Sequence, residues 1–190
     1  APAIGQRHQR HADRIAARHG AGDGGIGGQR LGIEAALARH VDRNALAVDE
    51  MIEAIWTEGP LTDLINNAAG NFISRSEELS PRGFDAVANI VMHGTFYVTH
   101  AVGRRWIAAK LPGNVVSITV TWVRNGSPYV VPSAMSKSAI HAMTMSLAVE
   151  WGKHGIRLNT IAPGEIPTEG MSKRIKPGDE AGARTRAQNP

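Results

Sequence analysis

Between Ala47 and Gly164 this 190-residue chain alternates long helical stretches with short apolar runs, and each run breaks into a turn at its C-terminal end. Few architectures accept that order. Ala47 to Glu58 (AVDEMIEAIWTE) puts Val48, Met51, Ile52 and Ile55 at helical spacing and stops at Gly59 and Pro60. Leu61 to Asn66 (LTDLIN) is a short apolar run entering Asn67, Ala68, Ala69 and Gly70, as a buried strand enters a turn. Ser80 and Pro81 form an N-cap and first-position pair that opens a helix predicted over 81–110, closed by Pro112 and Gly113. Asn114 to Thr121 (NVVSITVT) is β-branched and strand-like. A second long helix is predicted over 133–153, then a strand over 156–161 and a turn at Pro163 and Gly164. Strands separated by helices need right-handed crossovers, which build a parallel sheet, so the expected class is α/β.

The composition changes abruptly near Asn44 to Ala47. Arg, His, Gly and Ala fill 29 of the first 46 positions, Lys is absent there, and no stretch resembles a buried strand. Residues 1–46 therefore read as an atypical, irregular or disordered Arg/Gly/Ala/His-rich segment. Either a shifted frame in GC-rich DNA or a natural Arg/Gly-rich extension would give that composition. Residues 47–190 are expected to form a single domain with its own core. Charge follows the same division: residues 1–46 carry seven Arg against four acids, and residues 170–190 carry five basic residues against two acids. With +3 at each end and +4 in total, residues 47–169 are left at −2, so a nucleic-acid partner is not expected for the core.

Cysteine is absent, which removes disulfides, thiolate metal sites and a cysteine nucleophile, and no metal site is expected. No apolar run approaches the ~20 residues of a membrane span, and the N-terminus lacks the apolar core of a signal peptide. A cytoplasmic protein with no membrane association is the expectation.

Chemistry is carried by three pieces in a fixed order: Asn66 to Gly70 after a strand, Lys137 early in a helix, and Asn159 to Gly164 after a later strand. Singly these are a strand-end turn, a surface lysine and a loop Pro-Gly. Together they fall where open α/β sheets bind ligands, beyond the C-terminal ends of the strands. A turn of small residues there lets the backbone approach a ligand closely. The full series is N-N-A-A-G, a long helix, a Ser/Thr-rich strand, a helix with Lys137, then N-x-x-x-P-G-x-I-x-T from Asn159 to Thr168. It resembles the short-chain dehydrogenase/reductase superfamily over residues 47–190.

That resemblance implies a Rossmann-like, doubly wound parallel sheet and a nicotinamide cofactor. The sheet is expected to be incomplete, because the first strands cannot be identified and the family chain runs past Pro190 into a further helix and a last strand. In the family's roles, Asn67, Ala68, Ala69 and Gly70 lie against the adenine side of the cofactor. Lys137 hydrogen-bonds the nicotinamide ribose hydroxyls, and Pro163, Gly164, Ile166 and Thr168 hold the carboxamide and phosphates. NADP(H) is the expected cofactor and NAD(H) stays open, because the selecting residue follows a second strand that the sequence does not reveal. Helices 81–110 and 133–153 are expected to form a homodimer or homotetramer interface.

The departures narrow the resemblance. The usual Tyr four residues before the Lys is Ser133, the usual Ser position holds Val120, and the usual Asn position holds Val91. That pattern resembles the 2,4-dienoyl-CoA reductases, as do INNAAGNFI (65–73), HGTFYVTHAVGRRWI (93–107), VPSAMSK (131–137) and SLAVEWGKHGIRLNTIAPG (146–164). Those enzymes keep the Lys and the Ser four residues before it, and orient a thioester carbonyl with a Tyr and an Asn. Here Trp122 stands at that Tyr position and His93 at that Asn position. His93 can donate to a thioester oxygen, while Trp122 has one indole N–H and no transferable proton. Tyr129 is the nearest alternative phenol.

The expected catalytic set is Lys137, Ser133, His93 and Trp122, acting on a 2,4-dienoyl-CoA or enoyl-CoA thioester. Two alternatives remain: an inactive, truncated remnant working only through oligomer contacts, and a relative acting on another carbonyl or alcohol. Gly22, Gly24 and Gly27 match a dinucleotide fingerprint. No strand precedes them, and the 45 residues to Asn67 are too few for the intervening units of ~30 residues each, so glycine-rich composition is the preferred reading.

Overall fold

A computed structural model of the chain describes residues 45–164. In that span β1 (Asp63–Asn66), β2 (Gly113–Ile118) and β3 (Ile156–Ile161) form one parallel sheet in the order β1-β2-β3. The expected α/β class is what the structure shows. Leu64 registers with Val115 and Val115 with Leu158, so three buried aliphatic side chains stand in line across one face. The outer strands of the expected sheet, the glycine fingerprint at Gly22, Gly24 and Gly27, and the site residues Ile166 and Thr168 lie outside the described residues.

Four helices accompany the strands: α1 (Ala45–Trp56), α2 (Pro81–Ala88), α3 (Gly94–Ala109) and α4 (Val131–Trp151). α2 starts where the sequence places its cap, with Ser80 Oγ accepting the Gly83 N–H at 3.1 Å and Pro81 in the first turn. α1 packs on α3, where Val48 and Ile52 join Val98, Val102 and Trp106 in the main core. Outside that seam Arg105 donates to Asp49 and to Glu53, each at 2.7 Å, and Arg104 also pairs with Asp49. Hydrogen bonds from Arg105 and Arg104 hold the Asp49 carboxyl below its usual range.

Two tryptophans close the core and set what their neighbours can be. The Trp106 indole N–H donates to Leu61 O at 2.5 Å, fixing the approach to β1. A Cβ added to Gly113 would stand 2.4 Å from Trp106 Cδ2, and one added to Gly103 would stand 2.3 Å from Trp151 Cζ3. Only hydrogen fits at either place, because cores packed to crystal-like density have no slack of that size.

The structure differs from the sequence reading at three boundaries. The helix predicted over 81–110 is interrupted by a π turn at Asn89–His93, where the Gly94 N–H reaches back to Asn89 O. Thr95 Oγ1 donates to Val91 O at 2.6 Å, giving a carbonyl of the widened turn a side-chain partner. Strand β2 stops at Ile118 rather than Thr121. The Thr119 N–H still donates to Ile161 O at 2.8 Å, but the chain then coils into one helical turn at Trp122–Asn125. α4 begins at Val131 rather than Ser133, because Pro132 falls in the first turn, where no backbone N–H is required.

Candidate active site

The C-terminal ends of parallel strands gather the turns that follow them, and here one side chain ties two of those ends together. Lys137, in the second turn of α4, is buried and donates from Nζ to Ala68 O at 2.9 Å and to Ile118 O at 2.6 Å. Ala68 lies in the turn after β1, and Ile118 is the last residue of β2. Burial brings the Lys137 pKa down from 10.5 to about 8, since a low-dielectric setting disfavours the ammonium. An ammonium has three donors, and two are committed to these carbonyls.

The strand ends that Lys137 bridges are also joined by a buried polar side chain. Asn66 closes β1 and donates from Nδ2 to Thr99 Oγ1 at 2.9 Å and to Ser117 Oγ at 3.1 Å, joining both strands to α3. Beyond it, Asn67 and Ala69 are exposed and Ala68 and Gly70 half-buried, so the small-residue turn presents backbone at the sheet edge. Pro163 is half-buried and Gly164 exposed just past β3, and a Cβ added at Gly164 would meet open space. Asn71 buries both amide atoms with no hydrogen-bond partner among the described residues.

Of the expected catalytic residues, the structure places Ser133 and Lys137 together. Both are buried, one helical turn apart on α4. His93 is not hydrogen-bonded to either. It closes the π turn, pairs through Nδ1 with Asn89 Oδ1 at 2.9 Å, and has Tyr97 with its ring centre 6.2 Å away. It also borders a pocket of about 180 Å³ with Met92, Phe96, Ala139, Ile140 and Met143, so it faces the helix that carries Lys137. Trp122 is half-buried at the start of the helical turn after β2. Tyr129 takes a positive φ of 67°, uncommon for a non-glycine residue, and is half exposed. Its carbonyl accepts the Ser74 N–H at 3.2 Å, which links the loop after β1 to the loop after β2.

Sequence reasoning missed three groups. The Ile118 carbonyl carries no residue-type signal, because any residue supplies it. Asn89 could have been found from its four-residue spacing to His93 on a helical segment. Asn71 had no signal apart from its position directly after the small-residue turn. Among the described residues no cluster of metal-ligating side chains occurs, and no helix is long and apolar enough to cross a membrane.

Comparison with known proteins points the same way as this geometry. The family model for enoyl-(acyl carrier protein) reductase matches residues 30–190, reaching into the segment set apart by composition. A probable 2,4-dienoyl-CoA reductase of Bacillus subtilis is 42% identical over 146 residues, 76% of this chain and 58% of that protein. A crystal structure of a short chain dehydrogenase from Bacillus anthracis is 46% identical with a TM-score of 0.64, covering 66% of this chain and 53% of the other. A 4-hydroxyisoleucine dehydrogenase complexed with NADH is 29% identical with a TM-score of 0.63, covering 70% of this chain and 60% of the other. The chain spans 37 to 58% of the length of curated relatives it matches. The family match over most of the sequence, on a sheet that superposes on solved members, makes this chain a member of the short-chain dehydrogenase/reductase family.

Proposed function

We propose that the chain carries the active-site half of an NADP(H)-dependent reductase of 2,4-dienoyl-CoA or enoyl-CoA thioesters, as used in fatty-acid β-oxidation, with NAD(H) as the alternative cofactor. The observation that carries this reading is the buried Lys137 ammonium bridging the ends of β1 and β2. Its third N–H is available for a ribose hydroxyl at the place where open α/β sheets bind nucleotides. The other residues fit a dinucleotide as well. Among the described residues, the Asn67 to Gly70 turn offers largely exposed small-residue backbone, Gly164 opens onto free space past β3, and Asn71 keeps an unpaired buried amide that a ligand can satisfy. Ile166 and Thr168 complete the cofactor set in this reading.

The nicotinamide ring supplies a hydride to the conjugated chain when bound. Lys137 orients the ribose, and Ser133 shares its buried helix face. His93 donates a hydrogen bond to the thioester oxygen, where negative charge develops on hydride addition. Trp122 contributes an indole N–H and no proton, so solvent delivers the proton to carbon. The segment from α2 to α3 and the helix α4 pair copies of the chain. The lack of cysteine suits a reducing compartment such as the cytoplasm.

NADPH oxidation followed by absorbance with 2,4-decadienoyl-CoA tests the proposal. Turnover is expected, and none by pure, folded protein would sink it. The substitution of an indole at residue 122 favours one competing reading, an inactive relative that acts through its helices alone. That reading requires oligomers with no cofactor binding by fluorescence titration.

A further inference from the structure

Two ties join the loop after β1 to the segment that leads into α4. The inner one is Lys137 Nζ on Ala68 O, and the outer one is the Ser74 N–H on Tyr129 O at 3.2 Å. Among the described residues no other backbone hydrogen bond joins residues 67–75 to residues 126–130. The outer tie strains the chain. Tyr129 holds a φ of 67°, where the Cβ of a bulky residue crowds its own backbone. Its half-exposed side chain makes no hydrogen bond among the described residues that would hold it there. Between the two ties, Asn71 keeps both amide atoms buried without a partner among the described residues. None of residues 67–75 is buried as a whole, and Phe72 and Ile73 are exposed, so little apolar contact holds this stretch down.

We propose that residues 69–74 form a strap at the edge of the candidate site, latched by the Ser74–Tyr129 hydrogen bond and poised to open from it. Opening relieves two penalties together: Tyr129 returns to a common backbone conformation, and water reaches the Asn71 amide. The bond given up is a single backbone pair that water replaces, so its net contribution is small beside them. A strained residue persists only where its surroundings over-determine it. Here the fixed side is Val130, buried as the N-cap of α4 with its carbonyl accepting the Ala134 N–H at 2.9 Å. Ala68 stays pinned by Lys137, so the strap swings from its Ala68 end. The latch goes beyond the reductase reading and does not depend on it.

Amide hydrogen exchange on the full chain, resolved by residue, tests this, with the amides of the β2–β3 ladder as the reference for global unfolding. The Ser74 amide should be less protected than that ladder by roughly tenfold or more. Tyr129→Gly makes the left-handed backbone easy to hold and should slow Ser74 exchange about three- to tenfold. Tyr129→Val makes the same backbone harder to hold and should speed it. Asn71→Leu keeps much of the side chain's shape without its unpaired polar atoms and should slow Ser74 exchange about threefold or more. Tyr129→Gly removes strain rather than adding it, so the test does not rest on a variant that might fail to fold. Ser74 protection equal to that of the ladder, or a Ser74 rate unmoved by either of the two slowing substitutions, overturns the proposal. The readout needs neither cofactor nor thioester, so its failure and that of the reductase reading are told apart.

Discussion

Replacing Lys137 with Met should change the pH dependence of stability more than stability itself. In the fold the amine titrates at about 8 rather than 10.5, so between those values the unfolded chain binds one more proton than the native one. Stability therefore rises with pH across that window, and below about pH 8 both states are protonated and the contribution is flat. Each tenfold difference in proton affinity is about 1.4 kcal/mol, which makes the full rise about 3 kcal/mol. The neutral amine keeps two N–H donors, enough for Ala68 O and Ile118 O, so the bridge survives deprotonation. Met fills a similar volume and leaves those two carbonyls unpaired, at about 1–3 kcal/mol each. At pH 7 that loss is offset in part by relief from burying an ammonium, and at pH 10.5 no relief remains. Urea denaturation of both proteins at several pH values between 7 and 10.5 gives the difference directly, with every other titrating group cancelling. The gap should widen by about 3 kcal/mol, and parallel curves would refute the reasoning.

Gly103→Ala should destabilise by about 1–3 kcal/mol in denaturant melts, because its methyl would overlap the Trp151 ring; an unchanged midpoint would show that the ring can shift. Ser80→Ala removes the oxygen that caps Gly83 and should cost about 1 kcal/mol, while Ser80→Asp should cost little by the same assay. The Asp49 carboxyl is held low by Arg105 and Arg104, so its stabilisation is present above its ordinary range and lost as pH falls through its lowered folded value. The pair is partly solvated, so Asp49→Asn should flatten the acid limb of stability by no more than about 1 kcal/mol. Val149, 86% exposed, and Met145, 54% exposed, lie on the outer face of α4, and Val149→Arg with Met145→Glu should move the chain to a smaller species in light scattering if that face joins copies.

Most of the layout was legible because it depends on periodicity and on residues with narrow conformational choices. Ser80 and Pro81 fixed the start of α2, Pro112 and Gly113 the end of the helix before β2, and the strand read over 156–161 is β3. The errors fell where tertiary contacts overrule local preference. Thr119 to Thr121 are as β-branched as β2 itself, yet the chain turns there into the Trp122 helical turn. Helical periodicity also passes unbroken through Asn89 to His93, since Val87, Val91, Thr95 and Val98 keep spacings of three and four residues across the widened turn. At the site, Lys137 was legible from its motif order, but its two acceptors were not, because backbone carbonyls leave no trace in a sequence.

That last point bears on what kind of substrate the site can serve. Lys137 spends two donors on Ala68 and Ile118 and so has a structural reason to persist, separate from any reaction. Its presence marks ancestry more firmly than activity. In the proposed reading, with Val120 and Val91 at two of the family's usual catalytic positions and Ser133 at a third, activity depends on the donors that remain, the Ser133 hydroxyl, His93 and Trp122. None is a phenol that gives its proton to an alkoxide. Reduction of a simple ketone places full negative charge on one oxygen and needs a proton there, whereas hydride addition to a conjugated thioester spreads the charge and accepts its proton on carbon from solvent. Donors that only hydrogen-bond suffice for the second reaction and not for the first. The chain should therefore oxidise NADPH with a dienoyl-CoA and fail with an unconjugated ketone of matched length; reduction of the ketone at a comparable rate would show that a proton donor outside these residues serves the site.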